Sequence, residues 1–144
     1  MKLYVGGYAQ GKLKFVLQRI MQENGKQQES CMVWDGAIPD GELVKEAATQ
    51  VDTMSQSKTI IFNHFHQWIK NCIQQGGCPE KEIMGLLERY PDCIIISDEI
   101  GNGIVPMDAF EREYRERTGR ILVELARQAE EVERVICGMG QRIK

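Results

Sequence analysis

The sequence predicts an α/β domain, a mostly parallel sheet with helices on both faces. Three observations carry this. Short, wholly apolar runs such as Thr59–Phe62 (TIIF) and Cys93–Ile96 (CIII) read as strands covered on both sides. They alternate with segments whose apolar residues recur at helical spacing. A glycine-rich turn, Gly6–Lys12 (GGYAQGK), joins the first strand pattern to the first helical one. A chain of 144 residues suits one domain spanning 1–144, with a core large enough to fold without staples.

In order, Lys2–Val5 (KLYV) is a short strand entering the turn. Lys12–Asn24 places Leu13, Val16, Leu17, Ile20 and Met21 on one helical face, and Asn24-Gly25 suits its C-terminal end. Cys31–Trp34 is a second strand. Asp40 can cap a helix with Leu43, Val44, Ala47, Ala48 and Val51 facing in. After TIIF, Phe65, Trp68, Ile69, Cys72 and Ile73 form a helix face broken by Gly76-Gly77. Pro79 suits the first turn of a helix carrying Ile83, Leu86, Leu87 and Tyr90. After CIII, Gly101, Gly103 and Pro106 mark a loop. A long helical pattern then covers 108–131, with Gly119 inside it as a point where it can bend. Arg134–Cys137 and a short edge piece at Arg142–Lys144 complete the sheet.

The formal net charge is −3 and basic residues are scattered, so no footprint for nucleic acid exists. No apolar run reaches the roughly 18 residues that cross a bilayer. With no secretory h-region at the start, a cytoplasmic location is expected. The five cysteines, Cys31, Cys72, Cys78, Cys93 and Cys137, include no C-x-x-C pair. They read as buried reduced thiols rather than a zinc site.

The string from Gly6 to Lys12 matches G-x-x-x-x-G-K, between a strand and an amphipathic helix as a phosphate loop requires. Backbone N–H groups of such a loop wrap phosphate oxygens, and the helix N-terminus adds partial positive charge. Gly6, Gly7, Tyr8, Ala9, Gln10, Gly11, Lys12 and Leu13 are therefore the candidate nucleotide-binding residues. Lys12 is the candidate catalytic cation toward the terminal phosphates. The fold expected is P-loop NTPase-like. Position 13 is the exception: a Ser or Thr there normally offers Mg²⁺ a hydroxyl, and leucine offers nothing. The strand Thr59–Phe62 ends in uncharged Asn63. No metal ligand is assigned, although Mg²⁺ can still ride on phosphates and water.

Ser97–Pro106 (SDEIGNGIVP) resembles the N-E-V-G-x-G-I-V-P signature of the adenosylcobinamide kinase / adenosylcobinamide-phosphate guanylyltransferase family of cobalamin biosynthesis. GGYAQGKLKF is similar to that family's G-G-x-R-S-G-K-S-R-[FY], and FNHFHQWIKN (62–71) to its D-C-x-T-x-W-x-x-N. Gly119-Arg120 and ARQAEEV (126–132) resemble its G-R-x-N-Q and A-x-x-A-D-E-V. The resemblance implies a P-loop fold, binding of ATP or GTP, cobinamide (a corrinoid) as substrate, and a homo-oligomer, often a trimer. It implies two reactions: phosphorylation of a cobinamide hydroxyl, then GMP transfer through a guanylylated histidine.

The departures cluster at the chemistry. Ala9 and Gln10 replace Arg-Ser, Leu13 a serine, and Asn63 an aspartate. Asp98 stands where the family has Asn, and Leu122-Val123 replaces Asn-Gln. Between Gly25 and Asp40 there is no histidine and too little chain for the guanylyl-acceptor string, so guanylyltransfer is expected to be lost. Glu99, just past a buried strand, is the second candidate catalytic residue, for Mg²⁺ positioning or a substrate hydroxyl. Asp98 ranks below it, and Asp35 and Asp40 belong to no motif. His64 and His66 read as surface or supporting residues, ahead of a metal pair or a relocated guanylyl acceptor. The leading expectation is a kinase-type protein without its guanylyltransferase half. The alternative is a degenerate nucleotide- or corrinoid-binding module partnering an active paralogue. A relic whose loop is filled by Tyr8 and Gln10 is third.

Overall fold

The computed structural model describes residues 1–24, 31–37 and 59–144. The helix expected from Asp40, its capping residue and Gly25 lie outside them. The described strands form one six-stranded sheet: β1 (Lys2–Gly6), β2 (Cys31–Asp35), β3 (Thr59–Asn63), β4 (Ile94–Asp98), β5 (Glu131–Ile136) and β6 (Met139–Arg142). Their spatial order is β2-β3-β4-β1-β5-β6, all neighbours parallel except the β5–β6 hairpin. The described helices are α1 (Lys12–Asn24), α2 (Phe65–Gln74), α3 (Pro79–Arg89) and α4 (Ala109–Gln128).

The pleat sorts alternate side chains into two cores. Leu3, Phe62, Ile95 and Val132 pack with Phe65, Ile69, Ile83, Leu86, Tyr114, Ile121 and Leu125 of α2, α3 and α4. Tyr4, Ile61, Ile94, Ile96 and Val135 pack on the other face with Val16 and Ile20 of α1. Every residue of β4 is buried, which is why its sequence lacks polar alternation.

Local chemistry sets the element ends. α3 starts on Pro79 with Glu80 and Glu82 in its first turn, favourable at the positive end of the helix dipole. Asp108 caps α4, accepting from the Glu111 N–H at 2.9 Å. The β5–β6 turn is Cys137-Gly138, with φ of 50° and 76°, the two positive values a tight two-residue hairpin demands.

Three expectations need correction. The helix predicted to reach residue 131 ends at Gln128. Ala129 turns extended (φ −63°, ψ 142°) so that the chain can return beside β1. Ala129 and Val132 are buried in the same core as the helix face, which is why their spacing imitates one more turn. The last two strands accordingly start earlier than predicted, at Glu131 and Met139, and Ile143 and Lys144 continue the pairing through Val132. Cys137, predicted buried, is exposed on the hairpin turn, and Cys31 and Cys78 are half-buried. Cys72 and Cys93 are buried, and burial pushes their thiols up to about 12 and about 11.

Candidate functional site

The loop between β1 and α1 lies where the strands of the sheet end. Gly6 is pinned between strands: a Cβ there would stand 2.3 Å from the Val135 carbonyl oxygen, so only glycine fits. Ala9 and Gly11 both have positive φ (54° and 75°), with Gln10 between them. Alternation of this kind curls the backbone into a concavity suited to anions. Gln10 ties the curl to the β5–β6 hairpin: its side-chain oxygen accepts from the Cys137 N–H at 2.7 Å and its carbonyl from the Gly138 N–H at 3.0 Å. The hairpin thus braces the loop. Tyr8 is largely exposed at its tip, so it does not fill the concavity.

Lys12, the first residue of α1, is buried at 7% exposure. Its ammonium donates to the Gly7 carbonyl at 2.7 Å and lies 2.5 Å from Asp98 Oδ1. Asp98 reaches it by parity. Ile94, Ile96 and Asp98 share one face of β4, the α1 face, and register pairs Asp98 with Gly6, the first loop residue. Asp98 is itself buried. Its Oδ1 and the Lys12 ammonium therefore form a buried ion pair.

His66, from the first turn of α2, completes this buried group. Its Nδ1 accepts from the Asp98 backbone N–H at 3.1 Å, and its Nε2 lies 3.7 Å from Asp98 Oδ2. Accepting at Nδ1 puts the proton of the neutral ring on Nε2, facing the carboxylate. Burial holds its pKa below 6.5, against the pull of Asp98, so the neutral ring prevails at pH 7.

Glu99 takes a different place. Its backbone N–H donates to Gly6 O at 2.9 Å, but its carboxylate accepts from Arg134 of β5 at 2.8 Å and from Asn102 at 3.4 Å. The acid against Lys12 is therefore Asp98, which the sequence ranked below Glu99. Asn63 and His64 lie apart. The Asn63 amide donates to Asp35 Oδ1 at 2.8 Å, and His64 Nδ1 is 2.5 Å from the same oxygen. His64 sits with φ 49° and ψ 43°, a left-handed backbone that turns β3 into α2. Leu13 is half-buried and packs on the α1-side core. Among the described residues no group of three or more His, Cys, Asp or Glu can hold a metal. No described helix is long and apolar enough to cross a membrane.

Arg134 carried no motif and joined this cluster only through strand placement, whereas His66 takes the supporting place the sequence allowed it. Asp98 lay inside SDEIGNGIVP, and its even spacing from Ile94 and Ile96 was the signal for the face it takes.

A mostly parallel sheet whose first strand runs through a glycine-rich curl into a helix headed by a buried lysine defines an α/β domain of the P-loop type. Comparison with known proteins narrows the class. The model of the cobinamide kinase / cobinamide phosphate guanyltransferase family matches residues 34–143, and the chain belongs to that family. The match starts after the Gly6–Lys12 loop. The chain is 30% identical over 108 residues to the bifunctional adenosylcobalamin biosynthesis protein CobU of Salmonella typhimurium, covering 74% of this chain and 60% of that protein. It is 36% identical over 80 residues to its Escherichia coli counterpart, covering 54% and 44%. The aligned regions thus span less than two thirds of each relative's length.

Proposed function

We propose that this chain is a single domain that binds a nucleoside triphosphate, ATP or GTP, at Gly6–Leu13 and transfers its terminal phosphate to a hydroxyl of cobinamide. The observation that carries the reading is the Lys12 ammonium, buried beneath the curl of Gly7–Gly11. A buried cation there is paired only provisionally, by one carbonyl and one carboxylate, and an entering phosphate replaces both. In this reading Glu99, which Arg134 holds at the rim, accepts the proton of the substrate hydroxyl. Guanylyltransfer is absent in this reading: 25–40 holds no histidine, and both histidines of the chain already face aspartates. A homo-oligomer, a trimer by resemblance, and a cytoplasmic location belong to the same reading.

Calorimetric titration of ATP and GTP tests it. Lys12→Ala should weaken binding by roughly tenfold to a hundredfold, the worth of a charge-assisted hydrogen bond. Unchanged affinity in Lys12→Ala, or no binding by the wild type, removes the loop from the site. A second reading, binding without turnover, is favoured by Leu13, whose side chain is committed to the core and offers no oxygen. Nucleotide binding with no phosphate appearing on cobinamide would select it.

A further inference from the structure

We propose that Asp98 is the cation-side carboxylate of this chain, the acid having moved from the end of β3 to the end of β4. The inference rests on the nucleotide reading above and adds to it which residue meets the metal. Position 63, where the family resemblance places an aspartate, is Asn63, and position 98, where it places an asparagine, is Asp98.

The geometry explains why an exchange preserves the site. Ile61 and Asn63 share the α1 face of β3, as Ile96 and Asp98 share that face of β4. β3 and β4 are neighbours, so both strand ends open on the same side of the sheet. The β4 position is the nearer to the loop, because β4 pairs directly with β1 and Asp98 aligns with Gly6. The Asn63 amide is meanwhile occupied by Asp35.

The donor set suits Mg²⁺. That ion keeps several waters and takes one or two carboxylates beside the nucleotide phosphates. Asp98 offers a buried carboxylate beside the loop, its Oδ1 paired with the Lys12 ammonium at 2.5 Å. His66 holds the residue from behind, at its backbone N–H and its other oxygen. Without nucleotide, Lys12 neutralises Asp98. When phosphates draw the ammonium away, the carboxylate is left buried and uncompensated, and a divalent cation restores the balance. Bound there, Mg²⁺ would offset the negative charge of the terminal phosphates.

The test is ATP affinity with and without Mg²⁺ in the wild type, Asp98→Asn and Glu99→Gln, with Mn²⁺ paramagnetic resonance as a direct readout of the metal. In the wild type Mg²⁺ should tighten ATP binding. In Asp98→Asn that gain should fall by on the order of tenfold or more, and the ATP-dependent Mn²⁺ signal should weaken with it. Metal-free ATP binding should hold or tighten there, because Lys12 has lost its competitor. Glu99→Gln should keep the gain. Persistence of the gain in Asp98→Asn, or its loss in Glu99→Gln alone, overturns the assignment. A wild type that binds ATP equally with and without Mg²⁺ overturns it while leaving the nucleotide reading intact; one that binds no nucleotide overturns both. Iron(II)-directed cleavage of the wild-type backbone with ATP bound needs no variant. Cuts at residues 97–99 are expected, and cuts at 62–64 instead would return the metal to β3.

Discussion

The ends of β3 and β4 are two answers to the same problem. Both strands stop on the same side of one parallel sheet, and each presents a polar residue on the α1 face. At β3 that residue is Asn63, held by Asp35 and His64 in a network whose aspartate is 63% exposed and whose histidine is 38% exposed. At β4 it is Asp98, at 8%, against a lysine at 7%. The difference is one of pairing. β3 borders β2 at the sheet's edge, whereas β4 borders the strand that feeds the glycine-rich loop. A charge at the β4 end therefore meets a fixed cation, and a charge at the β3 end would meet another carboxylate. Position in the sheet decides which strand end can carry the acid.

The largest break in that comparison comes from Gly6→Ala, which attacks the residue in register with Asp98. Its new Cβ would lie 2.3 Å from a backbone oxygen that cannot rotate away. A loss of about 3 kcal/mol in urea unfolding is expected, at the upper end of ordinary overpacking. Next is Asn63→Asp, which puts a second carboxylate where an amide now donates to Asp35. Asp35 is largely exposed, so setting an acceptor against it should cost about 1 kcal/mol at most at neutral pH. Asp35→Asn in the same chain should recover most of it. If Asn63→Asp is neutral at pH 7, the β3 end is as tolerant of charge as the β4 end and the contrast fails.

The smallest effect supplies an exposed ion pair as reference. Arg117 of α4 donates to both oxygens of Glu80 in α3, and this holds the Glu80 carboxyl down at about 2. A depressed acid contributes stability above its unfolded value of 4.5, and the contribution is lost as pH falls toward about 2. The partners are partly exposed, so the amount is under about 1 kcal/mol. Melting curves of the wild type and Arg117→Met should converge across that interval and stay apart above it. Equal pH slopes would mean the pair adds nothing.

Much of this was legible in the residues. Wholly apolar TIIF and CIII announced strands covered on both faces, and Gly6–Lys12 announced the loop, because both depend on local chemistry alone. The SDEIGNGIVP stretch pointed to the family that comparison then showed. The helix end at Gln128 was hidden because Ala129 and Val132 serve the same core as α4, and periodicity cannot tell a buried turn from a buried return. Which of Asp98 and Glu99 would meet Lys12 was hidden for a related reason. Adjacent residues at a strand end point to opposite faces, and which face holds the lysine depends on where α1 packs.

The sequence by itself determined the elements and the glycine-rich loop between β1 and α1, since apolar spacing, glycine freedom and capping act over a few residues. Strand order was decided only by the tertiary structure. Placing β4 beside β1 brought Asp98 to Lys12, and placing β5 on the other side brought Arg134 to Glu99 and the hairpin to Gln10. Those partners lie tens of residues apart in the chain, and only the shared packing of one sheet between two layers of helices makes them neighbours.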